Sequence, residues 1–308
     1  MPMPATSLPT AGPDDRQETV PFRQFLLKAH SRCNLACTYC YMYEAADQSW
    51  RRRPRTMAPE VVSRTAGLIA AHAREHALGR FDVVIHGGEP LLVGAERLAA
   101  LLQTLTNALA GVAELRLTTQ TNGIRLIEDP DLLPVLDRYG VRVGVSLDGT
   151  AALQQFHRMG DRGRQPEQPG VRTPHPTPAH SARRLVRLTQ CAERGALEQA
   201  DSLKASYPGA PATGLHVLSD TFADAAPHPG FRACRRGTAG LEPVCRARPR
   251  SRVSGGGLYA HRYHPGSTPL FAAPSVYCDD FAVPIDHIGD WLRRDVARLA
   301  RSGREAIR

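Results

Sequence analysis

The chain has 308 residues, 42% of them hydrophobic and 22% charged, with a formal charge of +9. This is the composition of a globular protein large enough for a sizeable core, and no apolar run approaches the ~20 residues that a spanning helix needs, so no membrane partner is expected. The basic excess is almost wholly arginine, Lys28 and Lys204 being the two lysines. It is spread along the chain and not gathered with aromatics on one element, which speaks against a nucleic-acid partner.

Residues 1–21 lack the basic start and apolar centre of a secretory signal and read as a loose arm. The expected address is the cytoplasm, where clustered cysteines mean metal or catalysis more often than disulfides. From Phe22 the pattern becomes regular. Residues 22–30 have strand character and run into a cysteine loop. Apolar spacing over 58–78 predicts a helix with Pro59 in its first turn and Gly79 just past its end. A strand at 81–86 enters Gly87-Gly88-Glu89-Pro90. A helix follows over 94–111, a strand over 114–121, a short helix over 129–140 with Asp129 as its cap, and a fourth strand from Val141. Strands alternating with helices call for a parallel sheet, whose ligands gather at the carboxyl ends of the strands. Each chemically distinctive patch lies at such an end: the cysteine loop, the glycine turn, Gln120-Thr121-Asn122, and Ser146-Leu147-Asp148.

After Arg158 the order dissolves into a proline-rich connector. Residues 180–195 read as one helix, and 285–302 as an amphipathic helix with Ile285, Ile288, Trp291, Leu292 and Val296 near one face. The resulting division is an arm at 1–21, an α/β core at 22–160, a linker at 161–196 and a tail at 197–308.

Cys33, Cys37 and Cys40 stand at the spacing CxxxCxxC. A tetrahedral zinc site wants a fourth ligand, and no second CxxC supplies one; His30 belongs to the incoming strand. A [4Fe–4S] cube on three thiolates leaves one iron open to an external ligand. A cluster of reduced structural cysteines is the plain alternative.

The stretch Cys33–Tyr41, "CNLACTYCY", followed by "GGEP" and "SLDG", resembles the radical S-adenosylmethionine (SAM) enzymes. That resemblance implies an α/β fold: a partial (β/α) parallel barrel, here apparently truncated, with a degenerate SPASM-like C-terminal region. It implies that Cys33, Cys37 and Cys40 ligate a [4Fe–4S] cluster and that SAM is the second cofactor. Gly87, Gly88, Glu89 and Pro90 would receive the SAM amine, and Tyr39 would lie beside the adenine. Ser146 and Asp148 would face the ribose or carboxylate, and Arg158 would pair with the carboxylate; Gln120 and Asn122 are further candidates. The stretches "EQADSLKASYPGAPATGL", "GGGLYAHRY" and "PSVYC" are similar to the cyclophane-forming radical SAM/SPASM peptide maturases. This implies a short precursor peptide as substrate, a side-chain crosslink as product, and an electron donor such as a flavodoxin or ferredoxin. The resemblance lapses between about Gly160 and Gly195, where two βα units of the barrel are unrecognisable, which reads as a deleted or out-of-frame stretch. In the tail, Arg248 and Ser254 stand where cysteines belong. Cys245 and Cys278 alone do not make a four-ligand site, which counts against auxiliary clusters. The alternatives in other classes are a cluster-binding but catalytically defective remnant and a non-redox metal or thiol module.

Overall fold

The computed structural model describes residues 21–147, 158–160, 188–266 and 271–305. Asp148 and most of the proline-rich connector lie outside the described residues. The described residues fall into two compact units, one ending at Arg232 and one beginning at Ala233.

That first unit is built on a seven-stranded sheet in the order β5-β4-β3-β1-β7-β8-β9. Its strands are β1 (Gln24–His30), β3 (Arg80–Gly87), β4 (Glu114–Thr121), β5 (Arg142–Val145), β7 (Leu188–Cys191), β8 (Ala196–Glu198) and β9 (Ala212–His216). β5, β4, β3, β1 and β7 run parallel, while β8 and β9 are antiparallel additions. The sheet is open, in keeping with a partial barrel. The four strands expected between residues 22 and 145 are all there. Of the helix expected over 180–195, residues 180–187 lie outside the described residues, and Leu188–Cys191 is instead β7. Its backbone pairs with β1 on one side and β8 on the other, so tertiary pairing overrides the local pattern. A separate two-stranded ribbon pairs β2 (Leu35–Cys37), inside the cysteine loop, with β6 (Arg158–Gly160).

One face of the sheet is apolar. Alternation along β3 buries Phe81, Val83 and Ile85, and Phe25, Leu27 and Ala29 of β1 lie in the same core. Helices α1 (Pro59–Glu75) and α2 (Ala95–Leu109) bring Val62, Ala66, Ile69, Leu98, Leu102 and Leu105 to that core. Pro59 stands in the first turn of α1, where its missing N–H costs nothing. The opposite face is polar at the strand ends: Lys28 of β1 lies beside His86 of β3, and Gln120 of β4 beside Gly144 of β5. After β4 the chain forms α3 (Ile124–Glu128) and α4 (Leu132–Arg138). Asp131, not Asp129, precedes α4; Asp129 instead accepts from the Asp131 N–H and pairs with Arg125 of α3.

In the second unit the final helix spans Cys278–Glu305, longer than the apolar pattern implied and containing Pro284. Of its expected apolar face, Ile288, Trp291, Leu292 and Val296 are exposed. The buried Arg262 guanidinium donates to the carbonyls of Gly237, Gly255, Gly256 and Gly257, fastening the glycine-rich turn. Cys234, Cys245 and Cys278 are free thiols.

Candidate functional site

The cysteine loop leaves β1 at His30 and winds back on itself. The Cys40 N–H donates to Cys37 O at 3.1 Å, and the Glu44 N–H donates to Cys40 O at 2.8 Å. Arg32 anchors the loop from outside. Its guanidinium donates to Ser31 Oγ at 2.6 Å, to Trp50 O at 2.9 Å and to Arg53 O at 3.2 Å, and it lies over the Trp50 ring. Tyr43 meets Trp50 edge to face at 4.9 Å and donates its hydroxyl to Ser31 O.

The glycine turn after β3 docks against this loop through backbone hydrogen bonds. The Gly88 N–H donates to His30 O and the Glu89 N–H to Arg32 O, each at 2.9 Å. A β-carbon on Gly88 would lie 1.6 Å from the Tyr43 hydroxyl and 2.7 Å from Arg32 O; one on Gly87 would lie 2.2 Å from His30 O. Both glycines are therefore demanded by close approach of the cysteine loop.

Glu89 is 1% exposed, and its carboxylate is turned inward. Oε1 accepts from the Leu91 N–H at 3.0 Å and from Thr121 Oγ1 at 2.8 Å, while Oε2 accepts from the Asn122 N–H at 2.8 Å. Glu89 thus ties the end of β3 to the end of β4 and caps the short turn Pro90–Val93. Asn122, so placed, donates from Nδ2 to Asn34 Oδ1 at 2.9 Å and points at Cys33 Sγ at 3.7 Å. The structure therefore brings the triad, the glycine turn and Asn122 together. Gln120 donates to Ser146 Oγ at 2.9 Å, joining the next pair of strand ends. Tyr39 is 51% exposed beside Cys40. Arg158 enters through its backbone, in register with Cys37.

None of the three cysteines is in a disulfide, and all are half-buried. Burial pushes the Cys33 thiol up to about 12, with the Glu89 carboxylate and the other two cysteines adding to the rise, and burial likewise raises Cys40. Such thiols stay protonated unless a strongly positive centre takes their protons' place. Among the described residues, the group of ligand atoms gathered within 4.8 Å of one another is His72, Glu75 and His76, not the three sulfurs. A single tetrahedral ion would need the sulfurs that close, whereas a four-iron cube holds its thiolates farther apart.

Beneath the loop lies a buried ion network that the sequence reading did not anticipate. Lys28 Nζ, fully buried, reaches Asp201 at 2.5 Å and Glu198 at 2.8 Å. Arg53 pairs with Glu198 and with Glu193, and Lys204 pairs with Asp47 at 3.0 Å. Asp47 and Arg53 belong to the segment following the triad, so these pairs hold that segment against β1, β8 and the turn Asp201–Ala205. Asn34, Arg32, Tyr43 and Trp50 were also missed. The one available signal was a lysine inside the apolar strand "QFLLKAH", in a chain with only two.

Residues 28–168, somewhat under half of the chain, match the profile of the Radical SAM superfamily. Two curated relatives are similar to the chain. The serine-type anaerobic sulfatase-maturating enzyme of Klebsiella aerogenes is 32% identical over 145 residues, 47% of this chain and 34% of that protein. The cysteine-type anaerobic sulfatase-maturating enzyme of Clostridium perfringens is 27% identical over 138 residues, 45% of this chain and 36% of that protein. The match thus spans about a third of the length of these relatives. Among solved structures, native anSMEcpe with bound AdoMet superposes with a TM-score of 0.66 at 13% identity, covering 90% of this chain and 99% of that one. The same protein with AdoMet and the Cp18Cys peptide gives 0.61 at 13% identity, covering 85% and 95%. At that identity the likeness is one of fold.

Proposed function

We propose that the chain binds a [4Fe–4S] cluster on Cys33, Cys37 and Cys40, takes SAM at the uncommitted iron, and modifies a ribosomally made peptide by joining side chains. One observation carries the reading: within the stretch that matches the Radical SAM superfamily, three thiols lie on a loop that packs against the glycine turn and against Asn122. The donor set fits the cluster, being all thiol, half-buried, and not drawn together as a single ion would require.

When bound, the two cofactors supply a one-electron cleavage of the sulfonium and a hydrogen-atom abstraction from substrate. The protein's own residues position and shield. Gly87 and Gly88 let the loop backbone close on the turn, Asn122 holds a polar contact beside Cys33, and Arg32 with Trp50 fixes the loop's outer side. Gln120 and Ser146 are candidates for hydrogen bonds to SAM, with Tyr39 beside its base. Asp148 and Arg158 are carried as candidates by the resemblance alone. Glu89 acts first as a strap between strand ends, which leaves the backbone of Gly87–Pro90 as the nearer candidate for the SAM amine. The peptide substrate is supported by the tail's resemblance to peptide maturases, by the maturase relatives, and by the peptide bound to a structural neighbour. A flavodoxin- or ferredoxin-type donor is the reductant that this chemistry calls for.

Anaerobic reconstitution tests the assignment. The expected results are about four irons and four sulfides per chain, an electron paramagnetic resonance signal that shifts with SAM, and 5′-deoxyadenosine on reduction. Cys37→Ala should lose the cluster; unchanged iron content in that variant would overturn the triad. Cluster and SAM binding without 5′-deoxyadenosine would identify a catalytically defective remnant. Turnover without a mass change on the candidate precursor peptide would overturn the substrate class alone.

A further inference from the structure

The end of α1 carries His72 and Glu75 in its last turn and His76 as the residue that caps it, none of which the radical SAM reading uses. They stand at i, i+3 and i+4, so all three face one way on the helix. Each offers a ligand atom, and these atoms lie within 4.8 Å of one another. The two imidazole rings are 4.4 Å apart.

A second observation points to a ligand. His72 is 4% exposed, and its Nε2 meets the carbonyl of Phe22 at 3.2 Å. An imidazole that donates from Nε2 carries its lone pair on Nδ1, and Nδ1 of His72 is buried without a hydrogen-bond partner. A backbone carbonyl that fixes the far nitrogen is the usual support behind a metal-ligating histidine. The ring itself is held by Phe22, Phe25 and Phe222, at 5.9, 5.9 and 5.7 Å. Glu75 is exposed and His76 half-buried, so an ion could enter from solvent. The site lies at the helix C-terminus, where the aligned peptide dipoles favour a cation.

We propose that His72, Glu75 and His76 form a site for a divalent transition ion of the zinc–cobalt–nickel class, bound through two imidazoles and one carboxylate. The site is separate from the cysteine triad. Its contact is with Phe22, before β1 begins, whereas the triad follows the end of β1. An ion there would clamp the end of α1, whose His72 already meets the Phe22 carbonyl, a structural duty.

The test uses Co2+ with the full-length chain in which Cys33, Cys37 and Cys40 are all alanine, so that thiolates of the triad cannot take the metal. The expected result is one tightly held Co2+ per chain after gel filtration, with weak visible bands and no near-ultraviolet thiolate-to-cobalt absorption. The melting temperature should rise on adding the metal. His76→Ala, a half-exposed change that leaves the core intact, should weaken binding about tenfold or more and abolish the rise in melting temperature. Glu75→Gln should weaken binding without altering the metal-free melt. Failure of the parent to retain Co2+, thiolate-type absorption, or unchanged binding in His76→Ala would each overturn the site. A water molecule alone on His72 Nδ1 gives the first of these outcomes. Loss of the cluster reading would leave this site standing, since the test is made without the triad.

Discussion

Gly88 shows how a single missing side chain can build a site. The space its β-carbon would take is already filled by the Tyr43 hydroxyl and the Arg32 carbonyl. Gly88→Ala must push the cysteine loop away, at about 1–3 kcal/mol, and should lower both the melting temperature and iron uptake. Removing the nearer clash with Tyr43→Phe should recover part of that loss, which a double-mutant cycle on denaturant midpoints would measure. Glu89 acts through acceptors. Each of its oxygens meets a donor, so Glu89→Gln turns an NH2 against one of them and leaves a buried donor unpaired. We expect a loss of about 1–3 kcal/mol in chemical denaturation. These two residues were legible in "GGEP" as special, yet the cross-strand and loop partners that make them so lie 32 to 58 positions away in sequence, and spacing alone does not reveal them.

Among the elements, α1, α2 and the four strands β1, β3, β4 and β5 follow from local pattern, because each alternates or repeats against one core face. β7 does not. Leu188-Thr189-Gln190-Cys191 has no period of its own, and it becomes a strand because β1 and β8 offer it partners on both sides. The ion network beneath the triad belongs to the same scale, since it joins β1, the segment after the triad, β8 and the following turn. Burial would lower the Lys28 pKa, but Asp201 and Glu198 overcome this and raise it, so Lys28 stays charged. Lys28→Met leaves those carboxylates buried and less compensated. The expected cost is about 3–5 kcal/mol, seen as a fall in the denaturant midpoint, and Lys28→Met combined with Asp201→Asn should fall less than the sum of the two single changes.

For the whole molecule, the network predicts acid lability. Burial would raise Asp47, but hydrogen bonds led by Lys204 hold it at about 2 against an ordinary 3.8. Burial would likewise raise Glu198, and Lys28 with Arg53 hold it at about 2 against 4.5. A carboxyl lowered on folding binds fewer protons in the folded state. Its contribution is complete above about pH 4.5 and is lost as the pH falls toward 2. Glu193, raised chiefly by burial, opposes this with one group against two. Thermal melts should therefore hold level down to about pH 5 and decline below it, and Lys204→Met should flatten that decline.

Local residue order alone pointed to the proposed class of chemistry, because cysteine spacing, a glycine turn and alternating apolar periods are short-range properties that survive without coordinates. It also determined that distinctive residues would collect at strand ends. Tertiary structure alone decided that Glu89 faces inward, that Asn122 reaches Cys33, that Arg158 lies in register with Cys37, and that Lys28 is buried among acids. Each of these is a contact between segments far apart in the chain, set by sheet order and loop closure, and no local preference encodes it.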